Sequence, residues 1–100
     1  MNILITAASS AKAHQLKREL NSTEILLGDY LDLPDVMLKS GRMLKLPSPQ
    51  ADTYPHQMLA FCLDNHIDTV YLLNATEAVQ LQPAEQLFDE YGIKLIPAHG

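Results

Sequence analysis

The chain has 100 residues, 47% of them apolar and 19% charged. That balance builds one ordinary hydrophobic core over residues 1–100 and argues against disorder. Twelve acidic residues against seven basic ones give a net charge of −5, which argues against a nucleic-acid partner held through its phosphates. The single cysteine, Cys62, allows no intrachain disulfide and points to a reducing, cytoplasmic setting. No apolar run approaches the ~20 residues that a membrane helix needs, so no membrane partner is expected.

In chain order, Ile3-Leu4-Ile5 predicts a first strand, followed by a turn of small residues, Thr6-Ala7-Ala8-Ser9-Ser10-Ala11. Ser9 or Ser10 can cap a helix running to about Leu20, with Ala13, Leu16 and Leu20 as its apolar stripe. Ile25-Leu26-Leu27 predicts a second strand, ending in Gly28-Asp29-Tyr30. Between Leu31 and Gly41, Pro34-Asp35 can open one or two turns of helix. The run from Arg42 to Pro47 reads as a strand, and Lys45 with the closing proline suits a sheet edge.

Asp52 or Thr53 is expected to cap the next helix, with Pro55 tolerated in its first turn. Met58, Leu59, Cys62 and Leu63 would form its buried face, and the helix should stop near Asn65-His66. Val70 to Leu73 predicts a fourth strand. A helix from Thr76-Glu77 is interrupted at Pro83, which lacks an N–H and clashes with the preceding turn, and resumes to Tyr91. Gly92 suits the left-handed residue that ends it, before a fifth strand within Ile93–Ile96.

The first, second and fourth runs are nearly continuous rather than alternating, as in strands buried on both faces of a parallel sheet. Right-handed crossovers then leave few topologies. The expected fold is α/β: a Rossmann-like three-layer sandwich with a five-stranded parallel sheet in the order 3-2-1-4-5.

Such a sheet binds ligands beyond the carboxyl ends of its strands, where the strand order reverses. The candidate ligand-binding residues are therefore Ala7, Ala8, Ser9 and Ser10 after the first strand, Asp29 after the second, and Asn74, Thr76 and Glu77 after the fourth. A dinucleotide loop needs glycines in the first of these turns, and this one has none. Alanine resists positive φ, and its methyl stands where a pyrophosphate oxygen would approach. Ser9 and Ser10 read first as helix caps, with an anion contact as the alternative. Asp29 matches the position of a ribose-binding acid, although turn preferences favour a surface residue.

His14, His56, His66 and His99 lack paired metal spacing, and one cysteine cannot complete a zinc site, so no metal or cofactor is expected. Cys62 reads as an inert core thiol, and no residue earns a catalytic role. Residues 1–50 carry six Lys/Arg and five Asp/Glu, whereas residues 51–100 carry one and seven. Glu85, Asp89 and Glu90 belong to that acidic half and read as a solvated helix face, while the asymmetry can also orient self-association or docking.

The opening Asn2–Ser10 resembles the first strand-turn-helix of the pre-ATP-grasp domain, the N-terminal domain of ATP-grasp ligases such as carbamoyl-phosphate synthase large subunits. Lys45-Leu46-Pro47-Ser48-Pro49 is similar to that family's third strand and following loop. Phe61–Leu81 and Phe88–Pro97 are similar to its later helices and strands, so the likeness spans nearly the whole chain on mainly apolar, fold-determining positions. The resemblance implies a non-catalytic accessory domain that shapes the acceptor-substrate side of a ligase, while the following module holds ATP and magnesium. That module would begin near Gly100, so the partners implied are an ATP-grasp ligase or a second copy in a homodimer. The chain departs from the family in lacking a glycine at or near Ala7, and in Thr76-Glu77 where Asp-Glu is common. The segment Ile3–Ser10 also resembles the opening of short-chain reductases, which gives the alternative of a nucleotide- or dinucleotide-binding domain.

Overall fold

The computed structural model describes residues 2–7, 10–20, 24–30 and 43–97. In order these form β1 (Asn2–Ile5), α1 (Ala11–Leu20), β2 (Ile25–Asp29), β3 (Met43–Lys45), α2 (Tyr54–Asp64), β4 (Ile67–Leu72), α3 (Ala75–Leu81), a 3₁₀ turn (Gln82–Ala84), α4 (Glu85–Glu90) and β5 (Lys94–Pro97). The five strands make one sheet in the order β3-β2-β1-β4-β5, and every pairing is parallel. This is the expected Rossmann-like arrangement, with the order reversing between β1 and β4.

Side-chain alternation along the central strands divides the core. Leu4, Val70 and Leu72 face one side, where Tyr54, Met58 and Cys62 of α2, Leu81 of α3 and Phe88 of α4 cover them. Ile5 and Leu27 face the other side and meet Ala13, Leu16 and Leu20 of α1. Both faces of β1 are thus covered, which accounts for the unbroken hydrophobicity of that run. The short edge strand β3 continues its pairing by one bond, from the Leu46 N–H to the Asp29 carbonyl at 2.9 Å. The segment 31–42, with its expected short helix, lies outside the described residues.

The helix boundaries follow local chemistry. Ser10 caps α1, its Oγ accepting the Ala13 N–H at 3.2 Å. Thr53 occupies the cap position of α2 but gives the backbone no side-chain hydrogen bond. Its hydroxyl instead accepts from the Gln57 side-chain amide at 2.8 Å, and Pro55 takes the expected place in the first turn. Pro83 does break the long C-terminal helix, which becomes α3 and α4 joined by the 3₁₀ turn.

Gly92 ends α4 with φ +76°. The Ile93 N–H bonds the Phe88 carbonyl at 3.0 Å and the Gly92 N–H bonds the Asp89 carbonyl at 2.9 Å, a complete Schellman motif with buried Phe88 and Ile93 packed beneath it. His66 takes the equivalent left-handed place after α2, with φ +55°. Asn2 secures that turn, donating from its backbone to the His66 carbonyl and from its side chain to the Asn65 carbonyl, both at 2.9 Å.

One expected core residue is out of place: Leu63 is 44% exposed. The buried stripe of α2 runs instead through Tyr54, Met58 and Cys62, with Leu59 on one flank and half-buried Phe61 on the other. At ~100° per residue, Leu63 lies about 140° round the helix from Met58, beyond that stripe.

Candidate functional site

The turns after β1, β2 and β4 meet at the carboxyl end of the sheet. Thr6 fastens this end from within, because its position just past β1 lets the side chain extend the ladder. The Leu73 N–H donates to Thr6 Oγ1 at 3.0 Å, while the Tyr71 carbonyl accepts from the Thr6 backbone N–H at 3.1 Å and from its hydroxyl at 3.3 Å. Ala7 follows with φ +52°, the backbone region that a glycine enters most easily. Its carbonyl accepts the Ser10 N–H at 2.9 Å, closing a short turn into α1. Ala8 and Ser9 lie outside the described residues.

Asp29 is not the surface turn residue that local preferences favour. It ends β2 with only 2% of its surface exposed. Asn74 caps α3, its Oδ1 accepting the N–H groups of Thr76 at 2.8 Å and Glu77 at 3.4 Å. Thr76 faces solvent. Glu77, in the first turn of the same helix, is fully buried.

The sheet end therefore brings two of the eight candidate residues, Asp29 and Glu77, inside the fold as buried carboxylates. Ser10 and Asn74 are engaged as helix caps, and Ala7 contributes backbone.

The partner that sequence reasoning missed is Tyr54, in the first turn of α2 and also fully buried. Its hydroxyl donates to Glu77 Oε2 at 3.2 Å, whereas Glu77 Oε1 has no hydrogen-bond partner among the described residues. Burial is the largest influence on the Glu77 carboxyl and pushes it up to about 7. The Tyr54 and Thr6 hydroxyls pull it back down, and the Asp29 carboxylate raises it further. Of the two hydroxyls Tyr54 is the stronger partner, since the single Thr6 proton is also offered to the Tyr71 carbonyl. Tyr54 itself is driven far above its ordinary value, by burial first and then by the neighbouring Glu77. Cys62, beneath it on α2, is fully buried, and desolvation pushes its thiol up to about 12, as an inert core cysteine requires.

One sequence signal did mark Tyr54, though not its partner. Tyr54 precedes Met58 and Cys62 at helical four-residue spacing, which identifies it as a core position. A buried tyrosine needs a partner for its hydroxyl.

Two hollows of the described surface lie elsewhere, beside the β5 edge. One groove of about 290 Å³ is lined mainly by Leu72, Val79, Leu81, Leu95 and Pro97. A shallower hollow of about 610 Å³ includes Glu85, Asp89 and Lys94. Glu85, Asp89 and Lys94 are all exposed. Among the described residues no three His, Cys, Asp or Glu side chains are grouped to hold a metal ion, and no helix is long and apolar enough to cross a membrane. Neither a family model nor a curated protein sequence matches the chain.

Proposed function

We propose that the chain is a non-catalytic accessory domain of an ATP-grasp-type ligase, of the pre-ATP-grasp kind, working in the cytoplasm beside a ligase polypeptide or a second copy. The observation that carries this reading is the inward disposal of the sheet-end acids. A dinucleotide-binding domain presents the acid after its second strand to the ribose hydroxyls. Here Asp29 is 2% exposed and Glu77 fully buried, so neither acid is presented to a ligand as a reacting or ribose-binding group. The resemblance of Asn2–Ser10, Lys45–Pro49 and Phe61–Pro97 to the pre-ATP-grasp pattern supplies the ligase context, because a Rossmann-like sheet alone hosts many functions.

One observation favours a second reading, a nucleotide-binding domain: Ala7 adopts the backbone conformation that a phosphate-binding glycine would take. Two measurements separate the two readings. Tagged protein isolated from its native cells should bring down an ATP-grasp polypeptide in stoichiometric amount. Melting curves with millimolar NAD⁺, NADP⁺ or ATP-magnesium should leave the Tm where it was. A nucleotide present at 100 times its Kd would stabilise the fold by about 2.7 kcal/mol. A shift of that size with either dinucleotide, or a stoichiometric complex containing no ATP-grasp polypeptide, overturns the ligase reading.

A further inference from the structure

Four elements converge on the Glu77 side chain. It belongs to the first turn of α3, Tyr54 reaches it from the first turn of α2, and Thr6 and Asp29 approach from the ends of β1 and β2. An ionised carboxylate has about four lone-pair sites to satisfy. Here Oε2 has one neutral donor at 3.2 Å and Oε1 has none among the described residues. Among the described residues, the titratable groups that face it, directly or through Tyr54, are Tyr54, Asp29 and Cys62, none of them a cation. A buried anion in these surroundings bears a desolvation cost that the Tyr54 and Thr6 hydroxyls offset only in part, whereas the neutral acid does not. The helix that carries Glu77 is also short, with the Asn74 cap at one end and the 3₁₀ turn at Pro83 at the other.

We propose that Glu77 is a proton-operated latch on the carboxyl end of the sheet. Protonated, it stays buried against Tyr54 and ties the start of α3 to the start of α2. On losing its proton to solvent it leaves that contact, and the first turn of α3 opens to bring the carboxylate into water. Opening releases one proton and closing takes one up. The moving turn borders the place where Rossmann-like sheets bind ligands, so access to that place follows pH. The latch depends only on this cluster and does not rest on the ligase reading.

Hydrogen exchange on the full chain tests it, with rates corrected for intrinsic chemistry. A carboxyl that titrates near 4.5 when open and about 7 when closed makes opening rise about fortyfold between pH 5 and pH 7. That rise should appear in peptides covering residues 74–81, while the β4 core keeps its protection. Glu77→Gln, which cannot ionise, should abolish the pH dependence. Tyr54→Phe, which removes a donor favouring the charged form, should move the midpoint to higher pH. Should Glu77→Gln fail to fold, carbon-13 titration of the Glu77 carboxyl in the native chain decides. A midpoint near 4.5, loss of β4 protection in parallel with α3, or the same pH dependence in Glu77→Gln each overturns the latch.

Discussion

At the scale of single residues, Ala7 is held where its side chain is unwelcome. With φ +52° its methyl crowds the backbone, a cost of roughly 1–2 kcal/mol that glycine avoids. Glycine gives part of this back by loosening the unfolded chain. Ala7→Gly should therefore stabilise the protein by about 0.5–1 kcal/mol, which for a domain of this size raises the Tm by about 4 °C. The same substitution bears on function, because it rebuilds the close approach that a dinucleotide loop requires. A higher Tm with no gain in NAD⁺ affinity is expected, since Asp29 remains inside. A drop in Tm would show that the Ala7 turn is not left-handed.

Among the elements, legibility in the sequence follows how local the cause is. The strands were readable because a sheet covered on both sides demands unbroken apolar runs, as in Ile3-Leu4-Ile5. The break at Pro83 and the stop at Gly92 were readable because each depends on one residue's backbone chemistry. The pairing of Tyr54 with Glu77 was not, since the residues lie 23 apart and meet only when α2 and α3 pack side by side. The burial of Asp29 was hidden for a similar reason: turn preference describes the local chain, whereas the neighbouring elements that enclose this strand end come from elsewhere in it.

Gly28 carries a comparable hidden constraint. A Cβ built there would stand 2.7 Å from Leu46 Cδ2 and 2.8 Å from its Cγ, and Leu46 is itself only 2% exposed. Because the Cγ as well as the methyl is too close, the leucine cannot escape by turning its tip alone. Gly28→Ala should cost about 1–3 kcal/mol by overpacking. In a Leu46→Ala background that added cost should largely vanish, a coupling that chemical denaturation of the four variants measures. Equal costs in both backgrounds would place the strain in the strand backbone and not in Leu46.

For the whole molecule, the buried carboxyl makes stability a function of pH. Glu77 holds its proton more tightly folded, at about 7, than unfolded, near 4.5. Its contribution is therefore complete below about pH 4.5, declines as the pH rises, and is gone above about pH 7. The whole span is worth roughly 3 kcal/mol, of which about 2 kcal/mol falls between pH 5 and 7.5. Against a typical total of about 5–15 kcal/mol this is a large share. Exposed acids also influence the acid limb of the curve, so the informative quantity is the difference between the native chain and Glu77→Gln. In urea unfolding at the two pH values, the native chain should lose about 2 kcal/mol more than the variant as the pH rises. Parallel curves would mean that the folded protein holds this carboxyl at its ordinary value, and that the Tyr54 contact keeps an anion in place.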